Sequence, residues 1–289
     1  MSVVDKIPTV NYHLWRPCNM KCGFCFASFQ DIDSHILPKG HLGREDSLLV
    51  VEMLAEAGFR KINFAGGEPT LCPWLPDLVS RARELGLTTS MVTNGSLMSA
   101  QWLDSVGGRL DWVALSIDSV DPSTLLRMGR TIRSGPMSER DYLCRIDMLK
   151  ERGIRVKVNT VVTRSNLMED LTDFIIKAQP ERWKLLQVLS VDGQNDLTVA
   201  GHISSEDEFG RHVRLNRRVE AHGVTLVPEN NDLMKGSYVM VDPAGRFFDN
   251  VVGRHTYSQS VLEVGVDRAL SEVSVDSQKF LSRNGLYDW

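Results

Sequence analysis

Six short strand-like runs are spaced along the chain as far as residue 190, with amphipathic stretches between them. The runs fall at residues 9–15, 61–65, 88–93, 112–117, 156–162 and 183–189, and the stretches include 44–57, 75–85, 139–152 and 169–178. Strands alternating with helical patterns of this length predict βα units and a parallel sheet. A parallel sheet is covered by helices on its faces. The expected fold class is therefore α/β, a partial (βα)6 TIM-like barrel whose sites lie beyond the strand C-terminal ends. Residues 1–192 read as the barrel, and residues 193–289 as a C-terminal extension of the same structural domain, closing over the substrate site. Within the extension, 194–205 reads as a loop, 206–222 as a helix, and 224–227 and 238–242 as strands.

The first strand runs into Cys18-Asn-Met-Lys-Cys22-Gly-Phe-Cys25, three thiols within eight residues. Cysteine thiolates hold iron–sulfur clusters, and a complete [4Fe–4S] site takes four. Cys18, Cys22 and Cys25 supply only three, which leaves one iron open to a small molecule. A structural zinc site would need a fourth ligand, usually from a second paired knuckle. No second Cys-x-x-Cys exists; Cys72 and Cys144 stand alone, and His13 or His35 gives no familiar finger spacing. Nothing after Cys144 can ligate a metal by thiolate, which points to a single cluster. Gly66-Gly67-Glu68-Pro69 follows the second strand, where glycines let a ligand approach the backbone. Glu68 can accept a charge-assisted bond from an ammonium group. Asn94, Ser96, Ser116 and Asp118 follow the next strands as candidate polar contacts.

Four strands carry polar residues two apart: Asn11 and His13, Lys61 and Asn63, Lys157 and Asn159, Arg182 and Lys184. Period two puts each pair on one face of its strand. The outer face of a parallel barrel lies under helices, an expensive place for lysine. Turned inward together, the pairs build a cationic, amide-lined pocket suited to a polyanion, since Lys and Arg are natural phosphate partners.

Composition excludes other classes. A net charge of −4 gives no global basic field, so no direct nucleic-acid binding is expected. No apolar run nears the roughly 20 residues that span a bilayer. The N-terminus shows neither signal-peptide architecture nor an amphipathic helix, so no membrane partner is expected. Five cysteines, three of them clustered, are not a disulfide framework and point to a cytoplasmic protein.

The cysteine spacing, with Phe24 before the last cysteine, resembles the radical S-adenosylmethionine (SAM) superfamily. That resemblance implies a [4Fe–4S] cluster on Cys18, Cys22 and Cys25, and SAM on the open iron. It implies SAM contacts from Phe24, Gly66, Gly67, Glu68, Asn94, Ser96 and Ser116. It further implies a 5′-deoxyadenosyl radical that abstracts hydrogen from substrate, and an electron donor of flavodoxin or ferredoxin type. The likeness narrows to the viperin family through Asn11-Tyr-His13, Lys61-Ile-Asn-Phe-Ala-Gly-Gly-Glu-Pro69, Thr93-Asn-Gly-Ser-Leu97, Arg182-Trp-Lys184, Val227-Pro-Glu-Asn230, Met234-Lys-Gly-Ser-Tyr238 and Phe280-Leu-Ser-Arg-Asn-Gly285. Viperins convert a nucleoside triphosphate to its 3′-deoxy-3′,4′-didehydro form, and the product terminates RNA chains, an antiviral activity. The resemblance then makes Lys61, Lys157, Arg182 and Lys184 triphosphate ligands, and Asn11, Asn63, Asn159 and Tyr238 ribose or phosphate contacts. Arg283 falls in a phosphate loop that reads Arg283-Asn-Gly-Leu286 where the family has Arg-Gly-Gly-Lys. This compact, microbial-type chain is expected to be a monomer acting on CTP, UTP or GTP, its base read from the loop near 192–204. Alternatives are a radical SAM enzyme acting on a peptide, a zinc-binding interaction module, and a cluster protein that senses nucleotide without turnover.

Overall fold

The computed structural model describes residues 3–32 and 35–289. Ten strands form one sheet: β1 (Thr9–Trp15), β2 (Lys61–Gly66), β3 (Thr88–Thr93), β4 (Trp112–Ser116), β5 (Arg155–Val162), β6 (Arg182–Gln187), β7 (Thr225–Glu229), β8 (Met240–Val241), β9 (Arg246–Asp249) and β10 (Thr256–Ser260). Their order is β10-β9-β8-β1-β2-β3-β4-β5-β6-β7. The pairs from β1 through β7 are all parallel, β8 lies parallel to β1, and β9 and β10 continue antiparallel. This is the α/β architecture expected: the six strands read for the barrel and the strand read at 224–227 run parallel as β1 to β7, and the strand read at 238–242 is β8. Residues beyond 192 extend the sheet at both edges, through β7 on one side and β8 to β10 on the other.

Helices cover one face. Arg44–Glu56, Leu75–Glu84 and Glu139–Lys150 lie close to their predicted spans. The last is opened by a capping box in which Ser138 and Asp141 satisfy each other's backbone N–H groups. The helix read over 206–222 is α only through Asn216, then tightens into a 3₁₀ turn over Arg217–His222. Helices Ala100–Val106 and Pro122–Met128 and strands β9 and β10 were not foreseen.

The main core lies between helices and sheet. Val10, Tyr12 and Leu14 of β1, Ile62 and Phe64 of β2, and Trp183 and Leu185 of β6 all belong to it. Alternation then sends the intervening residues into the lumen. Register aligns them: Asn11 lies opposite Asn63, Asn63 opposite Ser90, Lys157 opposite Arg182, and Asn159 opposite Lys184. A smaller core of Ala27, Phe29, Met240 and Phe248 joins the segment after the cysteines to β8 and β9.

Candidate active site

The cysteine loop leaves the C-terminal end of β1, and its neighbours hold it by many short contacts. Gly67 donates its N–H to Trp15 O and Glu68 donates to Pro17 O at 2.9 Å. A Cβ on Gly67 would come within 2.3 Å of the Arg16 and Pro17 carbonyls, and one on Gly66 equally close to Trp15 O. The paired glycines therefore let the cysteine loop's own backbone approach closely. Asn94 Nδ2 donates to Asn19 Oδ1 at 2.9 Å, and Asn19 Nδ2 to Ser96 Oγ at 2.9 Å. Gly129 packs on Lys21 O, and Gly23 donates to Met128 O at 3.2 Å.

Glu68 is buried, and its carboxylate is already engaged. It accepts from Thr70 N at 3.1 Å, from Thr70 and Thr93 hydroxyls at 2.6 Å each, and from Asn94 N at 2.8 Å. The side chain thus knits the second and third strand-end loops together, a role the sequence did not reveal. The segment read as a loop over 194–205 is one, with a single short 3₁₀ turn at Val199–Gly201. Its Gln194 and Asn195 are buried against the segment after the cysteines: Gln194 Oε1 accepts from Phe29 N at 2.6 Å, and Asn195 Nδ2 donates to Phe24 O at 3.0 Å. Thr198 Oγ1 adds a bond to Gly23 O at 2.6 Å. These polar groups clamp the cysteine segment and are taken up in doing so.

Cys18, Cys22 and Cys25 are free thiols, while Cys72 is buried in the main core and Cys144 is exposed on its helix. Burial pushes all three loop thiols up, Cys25 to about 12, so incoming iron must displace protons. Among the described residues no three Cys, His, Asp or Glu side chains converge on a point that would hold a single ion. Three thiols on one loop supply three of the four thiolate ligands that a [4Fe–4S] cluster takes, so this donor set fits a cluster with one open iron. Sequence reading missed Arg130. Its guanidinium Nε lies 2.7 Å from buried Asp118, and its Nη1 lies 3.7 Å from Cys22 Sγ. A largely buried guanidinium beside the thiols suits the carboxylate of an amino-acid cofactor. Phe24 is buried with Met128, Val188 and Val199, its ring 5.8 Å from that of His202.

The lumen holds the four predicted cations in two groups. In the first, Lys61 Nζ and Lys157 Nζ both donate to Tyr287 Oη, the former at 2.7 Å. Arg182 stacks on the Tyr287 ring at 4.1 Å and Arg155 on Trp112 at 4.2 Å. In the second, Lys184 Nζ meets buried Glu229 Oε1 at 2.5 Å, Arg283 approaches the same oxygen at 3.6 Å, and Tyr238 Oη donates to Oε2. Arg283 also stacks on Tyr238 at 3.6 Å. Asn63 Nδ2 donates to Asn11 Oδ1 at 2.7 Å, and Asn159 Oδ1, on the residue opposite Lys184, is buried without a hydrogen-bond partner among the described residues. All the predicted strand pairs face inward, but the pocket is not purely cationic, because Glu229 offsets one group. Arg283 sits with Lys184 and Tyr238, apart from Lys61 and Lys157. Tyr287, Trp112, Arg155 and Glu229 were missed; period two from Lys157 would have reached Arg155.

Burial pushes Lys61 down to about 7, Lys157 well below the ordinary lysine value and Lys184 down to about 8. Neighbouring cations add to the effect at each. Burial also lifts Glu229, but Lys184 and Arg283 outweigh it and hold the carboxyl below its ordinary value. The lumen is therefore short of negative charge.

Residues 12–177 match the model of the Radical SAM superfamily. The chain is also 50% identical over 283 residues to an S-adenosylmethionine-dependent nucleotide dehydratase of Flammeovirga pacifica, covering 98% of this chain and 96% of that one. The chain belongs to the viperin family of radical SAM proteins. A second viperin-family relative of the same name, from Lacinutrix mariniflava, is 49% identical over 289 residues, and the chain spans 60% of its length. The S-adenosylmethionine-dependent nucleotide dehydratase RSAD2 of Siniperca chuatsi is 36% identical, covering 97% of this chain and 79% of that one. Among solved structures, Streptococcus suis SuiB bound to S-adenosylmethionine superposes with a TM-score of 0.62 at 17% identity, over 84% of this chain and 61% of that one. Native anSMEcpe with bound AdoMet gives 0.60 at 14% identity, over 83% and 73%. At such identities the likeness is one of fold. Radical SAM enzymes use a [4Fe–4S] cluster and SAM, and the three thiols, Arg130 and the strand-end loops fit that pair.

Proposed function

We propose that this chain removes the elements of water from a nucleoside triphosphate, CTP, UTP or GTP, to give the 3′-deoxy-3′,4′-didehydro analogue. The observation that carries the reading is the inward convergence of Lys61, Lys157, Arg182 and Lys184 on a buried lumen with one carboxylate among them. Three buried cations, Lys61, Lys157 and Arg182, with Lys184 only slightly exposed beside them and so little counter-charge, call for a ligand bearing several negative charges. A triphosphate supplies them and leaves the ribose between the cations and the cysteine loop.

Cys18, Cys22 and Cys25 would hold the cluster, and Arg130, Ser96, Ser116 and the Gly66 to Glu68 backbone would hold SAM. When bound, cluster and SAM supply the one-electron chemistry that takes the C4′ hydrogen. The chain's own residues do the rest. Lys61, Lys157 and Arg182 bind phosphate oxygens. Lys184 and Arg283, steadied by Glu229, orient a second phosphate. The Asn11 and Asn63 amides, with Asn159, offer hydrogen bonds at ribose depth. Aromatic walls exclude water and strengthen each of these contacts. A flavodoxin- or ferredoxin-like donor, a monomeric state, a cytoplasmic site and an antiviral role complete the proposal. No described helix is long and apolar enough to cross a membrane.

The test is anaerobic incubation of reconstituted protein with SAM, reductant and each nucleoside triphosphate. One of them should stimulate 5′-deoxyadenosine release and yield a product lighter by one water. If none of the common triphosphates does, the nucleotide reading falls and a peptide substrate becomes the better one.

A further inference from the structure

The first cation group is not waiting open. Tyr287 fills the space where its members converge. Its hydroxyl accepts from both Lys61 and Lys157, and its ring lies 4.7 Å from Lys61 Nζ, 4.5 Å from Lys157 Nζ and 4.1 Å from the Arg182 guanidinium. Trp112 meets the ring edge-on at 5.7 Å. The backbone around it is tied down too: Arg182 Nη2 donates to Asn284 O at 3.2 Å, and Arg155 Nη1 to Asp288 O at 3.4 Å. One phenol thus takes the donors of two lysines and the flat face of an arginine.

We propose that Tyr287 is an internal occupant of the terminal-phosphate site, and that a nucleoside triphosphate must displace it to bind. The inference rests on the nucleotide reading above and adds a step to it. The phenol oxygen stands where a phosphate oxygen would accept the same two lysine protons, and the ring holds the volume beside it. A phosphoryl group and this ring cannot both contact Lys61, Lys157 and Arg182. The aromatic ring is a weak partner for cations compared with a phosphate, so the exchange favours the anion. A mono- or diphosphate that reaches only the Lys184 and Arg283 group leaves Tyr287 seated. The occupant thereby discriminates by phosphate-chain length.

The experiment uses the full chain with inorganic tripolyphosphate, and then CTP, UTP and GTP, as probes. Dissociation constants are measured for the unaltered chain and for Tyr287→Ala, and amide hydrogen exchange is followed over residues 284–289. Displacement predicts that Tyr287→Ala binds tripolyphosphate on the order of tenfold more tightly, and that the probe speeds exchange in 284–289. Tyr287→Phe, which keeps the ring and drops the hydroxyl, should fall between the two. Weaker binding by Tyr287→Ala, with slower exchange when the probe is added, would overturn the proposal by making Tyr287 a clamp on the ligand. If neither chain binds any probe, the nucleotide reading itself fails and the occupant reading goes with it.

Discussion

Lys184 shows how one side chain serves stability and binding at once. Its ammonium pairs with Glu229, a fully buried carboxylate that would otherwise face only Arg283 and the Tyr238 hydroxyl. Removing one partner of a buried pair strands the other. Lys184→Met should therefore lower unfolding free energy by ~1–3 kcal/mol, measured by denaturant titration. Adding Glu229→Gln in the same chain should recover at most part of that loss, because it relieves the weakened carboxylate but takes from Arg283 its own partner. It should not recover affinity for triphosphate, which needs the cation. If both recover together, Lys184 has only a structural role. Gly67 makes a similar case with a shape. A Cβ there would stand 2.3 Å from two carbonyls of the cysteine loop. Gly67→Ala should cost about 1–3 kcal/mol by overpacking and yield a reconstituted protein with lowered iron and sulfide per chain. Full iron content would mean that the loop can give way without losing its thiols.

At the level of elements, the parallel strands were legible because each is a short apolar or β-branched run closed by a turn signal. β2 ending at Gly66 and β3 ending before Asn94 are examples. Their inward faces were legible for one physical reason: Lys61, Lys157 and Lys184 would be intolerable under the helices. What stayed hidden depends on partners remote in sequence. β8 was read within 238–242, but its place beside β1, where Met240 and Val241 find Asn11 and Tyr12, was not. Tyr287 meets Lys61 across 226 positions. The bonds that Glu68 accepts from Thr93 and Asn94 stayed hidden because nothing in Gly-Gly-Glu-Pro shows that those residues will fold back onto it. The 194–205 loop, polar and without periodicity, looked free for the same reason. Its clamp is testable: Asn195→Ala removes the bonds to Phe24 O and Leu189 O. It should speed hydrogen exchange across residues 22–29 without changing exchange in β5.

For the molecule as a whole, the buried lysines give ligand-free stability an unusual slope with pH. Lys61 at about 7, Lys184 at about 8 and Lys157 well below the ordinary 10.5 bind fewer protons folded than unfolded above pH 7. Where the unfolded state holds more protons, stability rises with pH. The melting temperature should therefore climb from pH 7 to 9, beyond which the raised thiols work in the opposite direction. A saturating triphosphate should reverse the trend, since it draws protons onto the lysines. A melting temperature that stays flat or falls between pH 7 and 9 would count against proton loss from these lysines in the folded chain. The cysteine loop carries a different consequence. Asn19, Pro17, Lys21 and Gly23 are all gripped by protein groups, so the loop's shape is written in hydrogen bonds that contain no metal. Small metallo-domains collapse when stripped. This one should melt cooperatively without iron, so oxygen damage becomes a loss of contents from an intact vessel. The same molecule can be refilled and returned to service without being made again.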